Sequence, residues 1–332
     1  MLTIAIPTYN RNKILEKNLK LLLPQLTEAC SLLILDNSSD IPVSETIEDL
    51  IKKYSKVNIN VIRNKYNIGM TGNILKCFEL CDNSWLWILG DDDQVKEGAI
   101  KQILQDILIY KQNHFISYAW DEPSFNRKKD ILTSDINQLI DKIESIGVIL
   151  FISTSIYNIK KVINSISYGS FFQTTYAPHL AILFMSLKDG GHCTLSKKQI
   201  VINEGFLTPI QLRWDQLFIY QIIILLRLPL NPLTISKLKR KLVELTRLWT
   251  VTHLIYTLSY LKYTGEMDGR PLVLYKDIIN SFFYLDQRIG SRIIKILGYL
   301  ILMYPNFFKP LIEYAYILAK NKKFEINNNL RI

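Results

Sequence analysis

Within the first 95 residues, apolar runs alternate with stretches of helical spacing, and nothing else in the chain constrains its fold as strongly. Residues 2–6, 32–35, 57–62 and 85–89 read as strands. Between them, residues 12–23, 43–54 and a segment from the 67–73 loop to about 81 carry helical spacing, with Ile14, Leu15, Leu19 and Leu22 on one side of the first. Such alternation predicts a parallel, doubly wound sheet with helices on both faces. Ligands bind these sheets in the crevice outside the carboxyl ends of the strands, so the strand ends are where function is sought.

Three of those ends carry polar groups. Thr8 and Asn10 follow the first strand, Asp36 the second and Asp91-Asp92-Asp93 the fourth. The last is the most pointed: Trp85-Leu-Trp-Ile-Leu89 stops at Gly90, and three carboxylates follow at once. Adjacent carboxylates repel when ionised, and a hard divalent cation such as Mg²⁺ or Mn²⁺ removes that cost by taking their oxygens. A solvated acidic turn is the other reading of the triplet alone, and a helix or turn cap the other reading of Asp36. Neither explains why all three ends are polar together.

Several classes are excluded. A dinucleotide-binding fold needs a Gly-x-Gly-x-x-Gly first turn, whereas Pro7-Thr-Tyr-Asn-Arg-Asn12 holds no glycine, and no Walker-type loop occurs. The same absence disfavours a sugar-nucleotide pyrophosphorylase. Cys30, Cys77, Cys81 and Cys193 lack disulfide or zinc spacing and read as buried thiols of a reducing cytoplasm. Residues 1–7 read as a strand without a basic leader, and residues 217–226 are apolar but too short to span a bilayer. Of a net charge of +10, nearly all falls in residues 233–332, where sixteen Lys or Arg stand against seven Asp or Glu. No nucleic-acid module accompanies that basicity, so nucleic acid is not an expected partner.

Four blocks together carry a family resemblance: Thr3-Ile-Ala-Ile-Pro-Thr-Tyr-Asn-Arg11, Leu33-Ile-Leu-Asp-Asn-Ser38, Asn67-Ile-Gly69 with Asn73, and Trp87-Ile-Leu-Gly-Asp-Asp-Asp93. In order and spacing over residues 1–95 they resemble the inverting family 2 glycosyltransferases. The resemblance implies an α/β fold of GT-A type, Rossmann-like, with a mixed, mainly parallel sheet. It also implies a nucleotide-diphosphate sugar donor (a UDP-sugar), Mn²⁺ or Mg²⁺, and transfer of a hexosyl or N-acetylhexosaminyl group. Pro7, Thr8, Asn10, Arg11, Asn67, Gly69 and Asn73 would surround the nucleotide sugar, and Asp36 would hold the base. Asp91 and Asp92 would meet ribose and diphosphate, with the metal held among Asp91, Asp92 and Asp93. The triplet departs from the usual Asp-x-Asp-Asp by placing Gly90 first, which leaves open which two carboxylates take the metal.

The expected organisation is a GT-A domain over residues 1–212, with a donor half to about 95 and an acceptor half over 96–212, then a basic, mainly helical region over 213–332. In the acceptor half, residues 96–111 and 134–144 read as helices, and 115–119, 147–152 and 199–202 as strands. Inversion needs a base for the acceptor hydroxyl. Where the resembled family carries an acidic pair opening a helix, this chain has Pro178-His179. An imidazole at a helix N-terminus tends to be neutral and can accept a proton, which makes His179 a candidate base. Asp121 and Glu122 are the rivals, and a packed histidine is the plainer reading. Gln211-Leu-Arg213-Trp214 is one residue shorter than the Gln-x-x-Arg-Trp of processive polysaccharide synthases and carries little weight.

In the C-terminal region Arg288, Arg292 and Lys295 oppose Ile289, Ile293, Ile296, Leu297 and Leu300 at helical spacing, and Tyr304-Pro-Asn-Phe-Phe-Lys-Pro310 follows. A basic amphipathic helix with aromatics at its end suits an anionic membrane surface; a soluble helical subdomain is the competing reading. The expectation is a cytoplasmic enzyme, peripheral on the inner face of the cytoplasmic membrane, acting on a glycan or lipid-linked acceptor. A silent nucleotide-sugar-binding relative and a docking scaffold of a glycan-assembly complex are the alternatives.

Overall fold

The computed structural model describes residues 1–120, 127–202, 222–247, 289–304, 306–311 and 313–314. The chain divides into two compact units, Met1–Pro209 with Arg227–Lys237, and Ile210–Leu226 with Leu238–Ile332.

The first unit is built on a mixed sheet. Strands β1 (Leu2–Thr8), β2 (Cys30–Asp36), β3 (Asn58–Arg63) and β4 (Trp85–Ile88) run parallel, linked by helices α1 (Asn12–Leu22), α2 (Val43–Lys52) and α3 (Gly69–Glu79). The small β5 (Gln94–Val95) pairs outside the sheet with β10 (Val201–Ile202). Beyond β4 the sheet continues through β8 (Ser155–Asn158), β6 (Phe115–Ser117), β9 (Cys193–Leu195) and β7 (Ile131–Thr133), giving the order β3-β2-β1-β4-β8-β6-β9-β7. Because β8 is antiparallel to both β4 and β6, β6 again points the way β1 and β4 do.

Side-chain alternation explains why helices lie on both faces. Leu2, Ile4 and Ile6 of β1, with Trp85 and Trp87 of β4, join one buried cluster with Leu15 and Leu19 of α1, Ile47 of α2, and Ile100 and Ile103 of α4 (Ala99–Ile109). The opposite face is covered by α3, which contacts β1, β2 and β4 and packs on α8 (Ile166–Phe171) and α9 (Pro178–Ser186). α8 approaches closely at Gly169, where an added Cβ would meet Leu75 Cδ2 at 2.6 Å. Trp87 is fully buried and anchors its indole N–H on the Ser153 carbonyl at 2.8 Å. Truncating a side chain so placed costs about 3–5 kcal/mol.

One segment corrects the sequence reading. The β-branched run at residues 147–152 was expected as a strand, but Ile146–Leu150 is the short helix α6 and Ile152–Thr154 a 3-10 turn. Ser145 decides the matter: its hydroxyl caps the helix by accepting the Gly147 N–H at 3.1 Å. The strand begins later, at Ser155. Helix α5 (Ile136–Lys142) is capped in the same manner by Asp135, which accepts from Gln138 N at 2.9 Å.

Helix α10 (Pro232–Arg247) opens on Asn231, whose side chain accepts from Thr234 N at 2.8 Å. In the second unit, Ile289–Met303 forms the expected helix, and Ile293, Ile296 and Leu300 on it are exposed, as are Arg292 and, beyond it, Tyr304, Phe307 and Lys309. Among the described residues, no helix is long and apolar enough to cross a membrane.

Candidate active site

The carboxyl ends of β1, β2 and β4 meet because β1 lies between the other two. Thr8, the last residue of β1, pairs in register with Asp36 and sends its hydroxyl to Asp91 Oδ2 at 2.7 Å. The acidic turn is then fixed from several directions. Asn18 of α1 donates to the Asp91 carbonyl at 2.8 Å, and Arg11 Nη1 reaches Asp91 Oδ1 at 2.9 Å and Asp92 Oδ2 at 3.0 Å. From the other side Ser153 Oγ accepts the Gly90 N–H at 2.8 Å and donates its own proton to Asp93.

The electrostatics follow from this packing. Burial pushes the Asp91 carboxyl up, against the pull of Arg11 and the Thr8 hydroxyl. Burial dominates more strongly at Asp93, whose carboxyl is pushed up to about 7 despite the Ser153 bond, with Asp92 and Asp91 adding repulsion. Burial lowers the Arg11 guanidinium, but the two carboxylates outweigh it and leave it raised. Three carboxyl groups thus stand beside a single guanidinium, and burial works against ionising Asp91 and Asp93 together.

These residues fit a hard divalent cation. The donor set is carboxylate oxygen, and Gly90 is a cradle that a side chain would fill: an added Cβ would lie 2.4 Å from Asp93 Oδ2. Among the described residues no three His, Cys, Asp or Glu side chains converge on one point, so from these residues an ion would take one or two carboxylates. Mg²⁺-like ions commonly keep such a share and complete their shell with water and phosphate.

The other expected residues separate into two groups. Pro7, Thr8, Asn10, Arg11 and the Asp triplet lie at or just beyond the ends of β1 and β4. Asp36 is also there, but it is 1% exposed and both oxygens have protein partners: Ser39 N at 2.8 Å, Val43 N at 3.2 Å and Arg63 Nη1 at 2.7 Å. Burial raises its carboxyl, and the hydrogen bonds from Ser39, Val43 and Arg63 together bring it below the usual value. A nucleotide base reaching Asp36 has to displace Arg63 or open this turn. Asn67 and Asn73 belong to an amide network. Asn67 Oδ1 accepts from Asn37 Nδ2 and from Gly69 N, both at 2.8 Å, holding Gly69 at φ +78° where L side chains are strained. Asn73 is buried, donating to the Leu35 carbonyl at 2.9 Å while accepting from Asn64 Nδ2 at 2.9 Å. It shapes the ends of β2 and α3 and is not exposed to the crevice.

His179 sits at the start of α9, 1% exposed, with Nε2 3.1 Å from the Leu150 carbonyl. Burial drives the imidazole down to about 4, although the carbonyls of Leu150 and Ile149 favour its charged form. Burial, rather than its place at a helix start, thus favours the neutral ring, which is enclosed in the core. Asp121, Glu122, Arg213 and Trp214 lie outside the described residues. Trp120, which precedes Asp121, stacks on Phe151 with centroids 4.8 Å apart and planes at 21°.

Sequence reasoning missed Ser153, Asn18, Ser39 and Arg63. Only the Ser-Thr-Ser run at 153–155 carries a local signal, and it reads as a turn. Their roles arise from contacts 3 to 73 residues apart along the chain.

Comparison with known proteins agrees with this architecture. Residues 3–166 match the family model described as Glycosyl transferase family 2. Over 104 residues the chain is 25% identical to the GalNAc(5)-diNAcBac-PP-undecaprenol beta-1,3-glucosyltransferase of Campylobacter jejuni, a stretch covering 31% of this chain and 33% of that one. The chain thus spans about a third of the length of this curated relative. Among solved structures, S. aureus TarS 1-349 in complex with UDP-GlcNAc aligns with TM-score 0.56 and 13% identity, covering 91% of this chain and 90% of that one. The mannosyltransferase PcManGT from Pyrobaculum calidifontis, in complex with GDP-Man and Mn²⁺, aligns with TM-score 0.53 and 9% identity over 92% and 87%. At these identities the likeness is one of fold.

Proposed function

Residues 3–166 belong to glycosyltransferase family 2, and from that premise we propose that the chain is a metal-dependent, inverting glycosyltransferase of bacterial surface-glycan synthesis. The observation that carries this reading is the gathering of Thr8, Arg11 and Asp91–Asp93 at adjoining strand ends, an oxygen-rich donor set that supports a cation beside a diphosphate. The bound nucleotide in the TarS structure and GDP-Man with Mn²⁺ in PcManGT support a nucleotide-sugar donor, and we take it to be a UDP-sugar. A divalent cation at two of the three carboxylates would offset the charge on the departing nucleoside diphosphate.

In the reaction the acceptor hydroxyl oxygen attacks the anomeric carbon from the face opposite the diphosphate. The bond from that carbon to the diphosphate breaks, and a base takes the hydroxyl proton. We assign the base to Asp121 or Glu122, the rival carboxylate candidates of the sequence. His179 is assigned to packing, on account of its enclosure. The domain division at residue 212 is retained in this proposal, with donor and acceptor halves meeting near residue 95.

A panel of nucleotide sugars incubated with Mn²⁺ and membrane-extracted acceptors, with nucleoside diphosphate release as readout, tests the activity. Release from one donor is expected, with the new linkage of opposite anomeric configuration by NMR coupling constants. No release from any donor would favour a silent nucleotide-sugar-binding relative or a scaffold. The acceptor is proposed to be lipid-linked, because Ile293, Ile296, Tyr304 and Phe307 are exposed beside Arg292 and Lys309, as an anionic bilayer surface requires. Full-length protein carrying Ile296→Ser and Phe307→Ser should float less with anionic liposomes than wild type. Equal recovery would remove the membrane from the proposal.

A further inference from the structure

The turn after β1 has a shape that aims one side chain. Asn10 adopts φ +55°, in the left-handed region that Asn tolerates better than most residues. It is held there by its N–H on Ser39 Oγ at 2.9 Å and by a two-way exchange with Asp40: Nδ2 to Asp40 Oδ2 at 3.2 Å, and Asp40 N to Asn10 Oδ1 at 2.8 Å. The next residue, Arg11, places a single nitrogen, Nη1, within 2.9 Å of Asp91 Oδ1 and 3.0 Å of Asp92 Oδ2. One positive atom bridging oxygens of two successive carboxylates has the placement that a bridging metal ion takes.

We propose that Arg11 is a resident counter-cation: it holds the place between Asp91 and Asp92 before ligands arrive, opposes metal binding on its own, and moves to the donor diphosphate when nucleotide and metal enter together. The proposal rests on reading the acidic turn as the metal and diphosphate site. Like charges held at the same two carboxylates repel strongly, and burial of Asp91 weakens the screening between them. Metal and guanidinium therefore cannot share the two carboxylates cheaply. A diphosphate resolves the conflict, because phosphate oxygens match the planar guanidinium fork better than a single-nitrogen contact does. The Arg11 side chain is 30% exposed, so it has room to turn outward. Without it, Asp91 and Asp92 would face one another unscreened until the metal came. Nucleotide and metal then promote each other's binding, and by linkage the promotion is equal in both directions.

Titration of the full chain with Mn²⁺, followed by the loss of the free-ion electron paramagnetic resonance signal, with and without UDP or GDP, tests this. Wild type should bind Mn²⁺ alone weakly and about tenfold or more tightly with the nucleotide. Arg11→Ala and Arg11→Gln should each bind Mn²⁺ alone about tenfold more tightly than wild type and lose most of the nucleotide enhancement. Arg11→Lys, which keeps the charge without the fork, should oppose Mn²⁺ as wild type does. If wild type binds Mn²⁺ with nucleotide but Arg11→Ala and Arg11→Gln gain nothing for Mn²⁺ alone, the counter-cation role is overturned while the metal site stands. If neither wild type nor any variant binds Mn²⁺ under either condition, both are overturned.

Discussion

The acidic turn after β4 and the histidine that opens α9 are both enclosed polar groups, but the chain treats them in opposite ways. At the turn, carboxyl groups are gathered and surrounded: Thr8, Arg11, Asn18 and Ser153 all contribute to holding Asp91–Asp93. At His179 charge is given up, since a buried imidazole on one carbonyl lowers its cost by staying neutral. The first arrangement keeps electrostatic energy available for a ligand. The second contributes to stability and leaves little for chemistry. The acidic turn is thus held by side chains from several elements, whereas the histidine is enclosed in the core.

Variants should divide along the same line. The largest effect is expected at the turn: Asp92→Asn should reduce turnover about a thousandfold, roughly 4 kcal/mol of transition-state stabilisation, with a melting temperature near that of wild type. Steady-state rates beside a thermal melt check this, and a loss of less than about tenfold would separate Asp92 from the reaction. Next comes His179. An unfolded histidine takes up a proton below about 6.5, the folded one only near 4, so its contribution is present above pH 6.5 and is lost as pH falls toward 4. Urea denaturation should show about 2 kcal/mol of stability lost between pH 7.5 and pH 5 through this group, and His179→Gln should flatten that slope while leaving nucleotide and Mn²⁺ binding intact. A His179→Gln protein with normal folding but a hundredfold rate loss would return the histidine to the chemistry. Smaller still is Ser153→Ala, which leaves the Gly90 N–H without its acceptor and frees Asp93. A tenfold to hundredfold fall in Mn²⁺ affinity is expected, about the range for groups that orient metal ligands. Unchanged affinity would mean that Asp93 stays in place unaided.

Why the donor side was legible and the rest less so has a physical reason. In residues 1–95 the contacts that define strands and helices are periodic in sequence, so apolar spacing alone located β1 to β4 and α1 to α3 within a few residues. The strand-end residues Thr8 and Asp91 could be paired because parallel strands bring their carboxyl ends together. Beyond residue 96 the described strands are only two to four residues long, and a cap accompanies helix in an Ile- and Val-bearing run, as Ser145 does for α6. β7 and β9 are three residues each; β7 pairs with β9, and β9 pairs with both β7 and β6. Asp36 shows the same limit within the readable half. Its place at the end of the second strand was plain, but Arg63, 27 residues on, takes one of its oxygens. Ser153 reaches Asp93 only because β8 lies beside β4.

The central claim is that the Asp91–Asp93 turn binds a nucleotide sugar together with a divalent cation. Calorimetric titration of UDP-sugars and GDP-sugars into the full chain, with Mn²⁺ and then with EDTA, tests it most directly. The account predicts binding of one donor that weakens at least tenfold in EDTA and is lost in Asp92→Asn. A donor bound equally well without metal and by Asp92→Asn would contradict it.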